Sequence, residues 1–331
     1  MMNRKIKKIR NRKILVTGGA GFIGSNLVES FLEEGNYVVC FDNFSTGRKE
    51  NIEKFGENPD FMLLEGDIRD LEACREAVKN VDLVCHLAAL GSVPRSIKDP
   101  VDTTDVNIGG FVKILYAAKE AGIKRFIYAA SSSTYGDNTS LPKVEDQIGK
   151  PLSPYAITKY VNELYASNFT DLYGIDVIGL RYFNVFGRRQ HPEGPYAAVI
   201  PKFLKMLTNH ESPVINGDGS NSRDFTYIDN VITVNHLACL VDNKEALNQV
   251  YNVACGERTT LNRLFELLRE YAGIHDPAVS GIEAIHGPPR EGDIPHSHAS
   301  IDKAKKLLGY SPTHFIEAGL KEAVDWFWKN M

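Results

Sequence analysis

The sequence lacks several features that mark particular classes of protein. Its five cysteines are scattered over 331 residues and form no Cys-x-x-Cys pair, which excludes a disulfide framework and indicates reduced thiols. No apolar run is long enough to span a bilayer. The basic first residues lead into a strand-like segment and not into the apolar core of a signal peptide. The sequence therefore predicts a cytoplasmic protein that has no membrane segment.

The sequence also lacks a large excess of charge of one sign. The 38 basic and 42 acidic residues give a formal net charge of −4, and no long block of either sign interrupts the chain. Nucleic-acid binders usually carry a basic face, so this balance argues against a nucleic-acid partner. Hydrophobic residues make up 43% and charged residues 24%, as in ordinary globular proteins.

Short apolar runs alternate with amphipathic stretches in the first half of the chain. The predicted strands are 13–17, 37–41, 61–64, 81–87, 125–130 and 177–180, and the predicted helices are 22–34, 71–80, 101–121 and 154–173. This alternation is typical of an α/β fold in which helices cover both faces of a parallel sheet. We therefore expect a Rossmann-like, doubly wound sheet.

The regular alternation of predicted strands and helices ends after Arg181. Prolines and glycines punctuate 187–224, and the later pattern predicts helices at 200–209, 229–242, 261–271, 302–308 and 316–329 with a strand at 250–253. We expect a Rossmann domain made of 1–181 and about 225–256. A smaller, interleaved C-terminal substrate domain would comprise 182–224 and 257–331. Residues 1–12 are interpreted as an N-terminal arm or short surface helix.

Glycines follow the first predicted strand, where residues 17–24 read TGGAGFIG. In a strand–turn–helix context, Gly18 permits a tight turn, Gly21 lets the backbone approach a pyrophosphate, and Gly24 lets the helix pack on the strand. The helix N-terminus offers N–H groups to the phosphates. A glycine-rich turn without a ligand is the alternative. Strand and helix on either side favour a dinucleotide site.

An acidic residue, Asp42, ends the second predicted strand. A carboxylate there accepts hydrogen bonds from the adenosine ribose and repels a 2′-phosphate, which favours NAD over NADP. A turn aspartate without a ligand is the alternative. Residues at the ends of the third and fourth strands are expected to border the same cofactor: Asp67, Ile68, Leu87, Ala88 and Ala89.

A Tyr-x-x-x-Lys pair and a serine run supply candidate catalytic groups. Tyr155 and Lys159 are four residues apart and share a helix face. Positive charge from the lysine and from an oxidised nicotinamide would lower the tyrosine pKa from about 10 and favour the phenolate. Ser131 follows the fifth strand, where ligands of open parallel sheets bind. A surface ion pair and ordinary loop serines remain the alternatives.

Taken together, TGGAGFIG, Asp42–Asn43, HLAA, the serine run, YAITK and RYFNVFG resemble the extended short-chain dehydrogenase/reductase family. Within it the chain is similar to UDP-hexose 4-epimerases. It most resembles the bacterial branch that interconverts UDP-N-acetylglucosamine and UDP-N-acetylgalactosamine. The resemblance implies NAD that stays bound and is regenerated in each cycle, and a homodimer.

The resemblance assigns a role to each matching residue. Ser131 matches the catalytic hydroxyl, Tyr155 the base, and Lys159 the partner of the base. Further cofactor contacts are implied for Phe22, Ile23, Asn43 and Phe183. Substrate contacts are implied for Ser132, Ser133, Asn184, Ala198, Val199, Arg223, Arg290 and Asp293. The arginines suit a diphosphate because their forked donors match its oxygens.

Differences between this sequence and related enzymes limit the reactions that we expect. Ser132 and Ser133 stand where dehydratases of this family carry an acid pair, so dehydration is not expected. Gly91, Ala198 and Ser297 match positions whose small side chains leave room for an acetamido group. UDP-glucose and UDP-glucuronate 4-epimerases stay open as alternatives, and a sensor that binds NAD without catalysis stays open as a remote one.

The expected mechanism inverts one carbon of the sugar. The phenolate of Tyr155 takes the proton of the sugar 4-hydroxyl while the hydride of C4 passes to the nicotinamide. The 4-keto sugar turns about its diphosphate linkage and takes the hydride back on its other face. Arg223 and Arg290 would hold the UDP during this turn, and positioning would supply much of the rate.

Overall fold

The computed structural model describes residues 9–192, 198–289 and 294–330. A seven-stranded sheet forms its centre. The strands of this sheet are β1 (Lys13–Thr17), β2 (Tyr37–Asp42), β3 (Phe61–Glu65), β4 (Leu83–His86), β5 (Arg125–Ser131), β6 (Asp176–Tyr182) and β11 (Val250–Val253). Their order is β11–β6–β5–β4–β1–β2–β3, and every neighbouring pair is parallel. The predicted Rossmann-like α/β fold is confirmed.

Eleven helices surround the sheet or build the C-terminal part among the described residues. They are α1 (Phe22–Glu33), α2 (Leu71–Ala77), α3 (Val93–Lys98), α4 (Pro100–Thr104), α5 (Phe111–Glu120), α6 (Pro154–Tyr173), α7 (Val199–Thr208), α8 (Ile228–Leu240), α9 (Leu261–His275), α10 (Asp302–Leu308) and α11 (Ile316–Asn330).

Both faces of the sheet are covered because its strands are apolar on both sides. Side chains alternate along a strand, so Ile14 and Val16 pack on one face with α1 and α8, while Leu15 packs on the other face with α5. Each of these three side chains is fully buried. A strand that is buried on both faces reads as a continuous apolar run, which is why the run at 13–17 could be recognised in the sequence.

The strand order reverses next to β1. Thr17, the last residue of β1, pairs with Phe41 of β2 on one side and with His86 of β4 on the other. The chain moves in opposite directions from this point, which opens a crevice at the carboxyl ends of the strands. Ligands of doubly wound sheets bind in such a crevice.

The predicted helix 101–121 is regular only in part. A π-helical turn over Asp105–Gly110 separates α4 from α5. A Cβ atom at Gly110 would lie 2.5 Å from Cδ1 of Ile68, so a glycine lets this turn approach the chain after β3. A further helix, α3, precedes α4 and is not among the sequence-based predictions.

Short strands organise the part of the chain after β6. They are β7 (Val185–Phe186), β8 (Val214–Asn216), β9 (Ser222–Arg223), β10 (Thr226–Tyr227), β12 (Thr259–Thr260) and β13 (Ile285–Gly287). They pair as β7 with β10, β9 with β12, and β8 with β13. The chain returns to the central sheet afterwards, because β11 pairs with β6. The exact division into two domains stays a prediction.

Further predictions concern the N-terminal arm, membrane-spanning helices and the cysteines. Residues 1–8 of the predicted N-terminal arm lie outside the described residues, and Ile9 is buried in the core. None of the helices in the described part of the chain has the length and apolar character needed to cross a membrane. All five cysteines are free thiols.

Candidate active site

A cavity of about 580 Å³ lies in the crevice beside β1 and β4. Every residue that the sequence predicts for the cofactor lines this cavity except Phe183. Phe183 is buried, and its ring packs 5.9 Å from the ring of Tyr135. The cavity continues past Ser131 and Tyr155 to Gly91 and Ala198, so the dinucleotide end and the expected sugar end form one space.

The turn between β1 and α1 forms one end of this cavity. Gly18 has a φ of +66°, and a Cβ there would lie 2.7 Å from the backbone nitrogen of Ala88. A Cβ at Gly24 would lie 2.1 Å from the carbonyl oxygen of Gly18. Gly21 is the N-cap of α1 and makes no side-chain cap, so first-turn N–H groups remain for a ligand. This cradle fits a dinucleotide phosphate group.

The carboxylate of Asp42 stands beside this turn. It accepts hydrogen bonds from the backbone nitrogens of Ala20 at 2.9 Å and Phe44 at 2.8 Å. Burial raises the pKa of Asp42, and these backbone donors act in the opposite direction. Two fixed donors orient the carboxylate and leave further lone pairs for ribose hydroxyls.

A second polar group lies where the adenine is expected. Nδ2 of Asn43 donates to Asp67 at 2.8 Å, and the guanidinium of Arg69 pairs with the same carboxylate at 2.8 Å. The hydrogen bonds from Arg69 hold the pKa of Asp67 at about 2. Asp67 therefore carries a charge that is largely compensated, while the adjacent Ile68 supplies a buried apolar surface.

The chain after β4 is held by one buried amide. Asn107, in the π-helical turn, accepts from the backbone nitrogen of Leu90 at 2.7 Å and donates to its carbonyl oxygen at 3.1 Å. It also donates to Thr158 of α6 at 3.2 Å. This amide links the loop before Gly91 to the helix that carries Tyr155. Ser92 follows with a φ of 103°, a strained conformation for a residue other than glycine.

The three predicted catalytic residues meet at the ends of β5 and α6. Ser153 caps α6 by accepting from the backbone nitrogen of Ala156 at 3.1 Å, which places Tyr155 in the first helical turn. The phenol of Tyr155 is hydrogen-bonded with Ser131. One turn later, Nζ of Lys159 lies 6.0 Å from the centre of the Tyr155 ring and donates to the carbonyl oxygen of Ala129 at 2.8 Å.

The sequence-based expectation of a lowered Tyr155 pKa rests on Lys159 and on oxidised NAD together. Burial raises the pKa of Tyr155, and only the hydrogen bond with Ser131 lowers it. Burial also lowers the pKa of Lys159 to about 8. The protein's own groups therefore do not lower the tyrosine pKa by themselves. Nζ of Lys159 lies 6.0 Å from the centre of the Tyr155 ring, and it donates one hydrogen bond to the carbonyl oxygen of Ala129. The lowering would depend on the positive charge of oxidised NAD.

The serine run is arranged around Ser131. The hydroxyl of Ser133 lies 2.8 Å from Oγ of Ser131, and its backbone nitrogen donates to the same atom at 3.2 Å. Oγ of Ser131 thus accepts two hydrogen bonds, which directs its own proton away from them. Ser132 and Ser133 do not line the cavity.

Three of the other predicted substrate residues are connected by hydrogen bonds between distant chain segments. Nδ2 of Asn184 donates to the carbonyl oxygen of Asp224 at 2.9 Å. Nη1 of Arg223 donates to the carbonyl oxygen of Pro295 at 3.1 Å. The backbone nitrogen of Ser297 donates to the carbonyl oxygen of Ser222 at 3.0 Å. The structure thus brings Asn184, Arg223 and Ser297 together, although they and Val199 do not line the cavity. Arg290 and Asp293 lie outside the described residues.

Several cavity residues were not predicted from the sequence. Ser92, Arg95, Tyr182, Gln190 and His191 line it together with the predicted residues. Gln190 and His191 follow RYFNVFG within a few residues, so the motif could have drawn attention to them. Arg95 lies on the short helix α3, whose signal was a serine N-cap followed by a proline.

Comparisons with known proteins agree with this geometry. The model of the NAD dependent epimerase/dehydratase family matches residues 14–254. A putative UDP-glucose 4-epimerase of Methanocaldococcus jannaschii is 37% identical over 319 residues, which cover 96% of this chain and 99% of the relative.

Solved structures resemble the whole chain. The UDP-N-acetylglucosamine 4-epimerase of Methanobrevibacter ruminantium, in complex with UDP-N-acetylmuramic acid, superposes with a TM-score of 0.90 at 38% identity and covers 98% of this chain and 100% of its own. The UDP-glucuronic acid 4-epimerase of Bacillus cereus, in complex with UDP-glucuronic acid and NAD, gives a TM-score of 0.86 at 31% identity. It covers 96% of this chain and 100% of its own.

Proposed function

Because the chain belongs to the NAD-dependent epimerase/dehydratase family, we propose that it is the UDP-sugar 4-epimerase that interconverts UDP-N-acetylglucosamine and UDP-N-acetylgalactosamine. At the coarser level it is an NAD-dependent isomerase of UDP-sugars, as its relatives are. The observation that carries the proposal is a single cavity that joins a dinucleotide cradle to Ser131, Tyr155 and Gly91.

The residues around Tyr155 suit reversible proton transfer at a sugar hydroxyl. Tyr155 as phenolate accepts the proton of the 4-hydroxyl, and Ser131 donates to the same sugar oxygen. Lys159 lies one helical turn away, and oxidised NAD would add the positive charge that favours the phenolate. The chemistry that NAD supplies when bound is reversible hydride acceptance at sugar C4. Asp42 and the turn at Gly18–Gly24 would hold that cofactor.

Inversion needs the 4-keto sugar to show both faces while the nucleotide stays in place. Arg223 and Arg290 suit this task because guanidinium groups bind diphosphate oxygens in a forked geometry. At the expected sugar end, Gly91 and Ala198 offer small surfaces. Weak contacts to the hexose favour turnover because tight ones would oppose its rotation.

The preference for an acetamido group is supported by space beside the fourth strand. A Cβ added at Gly91 would meet no heavy atom within 4 Å, so this part of the cavity is open. Extra volume admits a larger substituent but rejects a smaller one only weakly. We therefore expect activity on both classes of sugar, with the N-acetylated one favoured.

A second candidate is epimerisation of UDP-glucuronate. Arg95 lines the cavity close in the chain to Gly91, and a guanidinium is the usual partner of a carboxylate. A relative with this activity matches nearly the whole chain.

The test is incubation of the purified protein with UDP-N-acetylglucosamine, UDP-glucose or UDP-glucuronate, without added NAD, with C4 inversion followed by proton NMR. We expect the highest kcat/KM with the N-acetylated sugar. Exclusive conversion of plain hexoses or of the glucuronate would overturn this preference. Tyr155→Phe is the control for chemistry and should abolish conversion of all three sugars. Full activity in this variant would reject the assignment of the base.

A matched variant tests the predicted acetamido wall. Ser297→Tyr adds a ring at a position held by a backbone hydrogen bond to Ser222. We expect it to reduce kcat/KM for the N-acetylated sugar selectively, by about tenfold or more, as a steric clash of one ring would. Equal losses with UDP-glucose would contradict the placement of Ser297.

We also propose a homodimer. Ile157 and Leu164 are exposed and seven residues apart, so they lie on one face of α6. α3 and α4 pack beside α6 and expose Ile97 and Val101. Light scattering at micromolar concentration should give twice the chain mass, and Leu164→Glu should give the single mass. A monomeric wild-type protein would reject this proposal.

A further inference from the structure

We propose that Asp224 is a positioning residue for the nucleotide half of the site. Its carboxylate and backbone join the chain segments that carry Asn184, Arg223 and Ser297. The inference rests on the proposed function, because it takes these three residues to face the UDP-sugar. The reaction described above does not use Asp224 itself.

The carboxylate of Asp224 is fully buried and bonds only to backbone groups among the described residues. It accepts from Cys255 at 2.9 Å and from Gly256 at 3.0 Å, directly after β11. It also accepts from Ala299 at 3.3 Å, in the segment before α10. Three N–H donors from two segments thus converge on one side chain. A neutral amide of the same shape cannot accept at both of its polar atoms.

The backbone around Asp224 is connected to two residues that are predicted to bind the substrate, Asn184 and Arg223. Asn184 donates its side-chain amide to the carbonyl oxygen of Asp224, and it has a φ of 36°, which this bond helps to hold. Arg223 precedes Asp224 and donates to the carbonyl oxygens of Ser222 and Pro295. These bonds orient the guanidinium from the side of the 295–299 segment.

The same segment is joined to β9 a second time. Ser222 donates its backbone nitrogen to Pro295 and accepts from the backbone nitrogen of Ser297, both at 3.0 Å. Oγ of Ser222 also lies 2.9 Å from Nδ1 of His296. Asp224 bonds to the same segment two residues further on, at Ala299. Loss of the carboxylate would therefore move Arg223 and Ser297 relative to each other and leave the NAD cradle in place.

Asp224→Asn is the direct test, because it keeps the shape and turns one acceptor into a donor that faces backbone N–H groups. We measure Kd for UDP alone by calorimetry, kcat and KM for the UDP-sugar, and the NAD retained per chain. We expect Kd and KM to rise about tenfold or more, because the variant loses at least one hydrogen bond and leaves a buried backbone donor unpaired. Retained NAD and kcat should stay within twofold.

Asp218→Asn is the matched control. Asp218 is exposed, and it also accepts a backbone hydrogen bond, from Ser220 at 2.9 Å. The same chemical change there should leave Kd for UDP unchanged. A variant of Asp224 that loses active protein but keeps the wild-type Kd and KM would show a merely structural role and would overturn the proposal.

A second variant covers the case in which Asp224→Asn does not fold. Ser222→Ala removes the contact with His296 and leaves the carboxylate in place. We expect Kd for UDP to rise about threefold, the lower range for one hydrogen bond. An unchanged Kd would reject the proposed linkage. If wild-type protein itself fails to bind UDP, the proposed function fails, which is distinct from failure of the positioning role.

Discussion

Replacement of Asp42 by Asn tests the cofactor half of the site most directly. The carboxylate accepts from the backbone nitrogen of Ala20, which is buried, and from that of Phe44, which is partly buried. The amide keeps one acceptor and turns its NH₂ group toward the other backbone donor. Loss of one hydrogen bond to a charged group, with a buried donor left unpaired, costs about 2–3 kcal/mol. For a chain of 331 residues, this corresponds to a fall in Tm of about 3–4 °C.

The same substitution acts on the cofactor. A carboxylate accepts from two ribose hydroxyls, whereas the amide offers one acceptor, so NAD affinity should fall by about 10- to 100-fold. Removal of the negative charge also removes its repulsion of a 2′-phosphate, so the preference for NAD over NADP should narrow.

The assay measures NAD released by acid from the purified, dialysed protein, Kd for NAD and NADP by calorimetry, and Tm. Asp60→Asn is the matched control, because Asp60 is exposed and the variant changes charge alone. We expect wild-type NAD content in the control and a clear loss in Asp42→Asn. Equal NAD content in both variants, with an unchanged ratio of the two dissociation constants, would refute the role of Asp42.

Three further predictions concern the surroundings of the site. Glu163→Gln removes the buried negative charge that pairs with Arg181 at 2.7 Å and turns one of its two acceptors into a donor. The free energy of unfolding in urea should fall by about 3–5 kcal/mol, and a loss below 1 kcal/mol would contradict this. Ser133→Ala removes the 2.8 Å contact to Oγ of Ser131, and kcat should fall about fivefold at unchanged NAD content; an unchanged kcat would count against it. Burial lowers the pKa of His86 to about 3 from 6.5. Below pH 6.5 the unfolded chain therefore binds a proton that the native protein does not, so stability falls as the pH falls. His86→Asn should unfold with less pH dependence between pH 7.5 and 5.5, and an equal slope in urea titrations would reject this.

The NAD half could be predicted because its signals are local. Gly18 and Gly24 lie six residues apart in one turn, and the structure shows the close contacts that exclude a side chain at both positions. Tyr155 and Lys159 share a helix face through a spacing of four residues. In each case neighbours in the sequence determine the geometry, so the pattern and the structure carry the same information.

The proposed substrate wall, made of Asn184, Arg223 and Ser297, could not be predicted from local pattern. Its bonds join residues 40 to 75 positions apart, such as Asn184 to Asp224 and Ser222 to Ser297. Only the resemblance to a family placed these residues together. The effect of burial on the Tyr155 pKa could not be predicted either, because spacing cannot report how deeply burial removes Tyr155 from water. The π-helical turn before α5 was missed because a helix interrupted by one wide turn keeps nearly the same apolar period.

The catalytic residues and the proposed substrate wall depend on different kinds of structure, so we expect changes in them to affect different kinetic parameters. Ser131 and Tyr155 are held by a sheet strand and a capped helix, so changes there should alter kcat. The proposed substrate wall depends on hydrogen bonds made by Asp224, so we expect changes there to alter KM. The catalytic residues and the proposed substrate wall meet at the end of β6, where Tyr182 lines the cavity and Asn184 bonds to Asp224 two residues later. We therefore expect a substitution of Tyr182, which lines the cavity itself, to change both parameters together, whereas changes at Asp224 should alter KM alone.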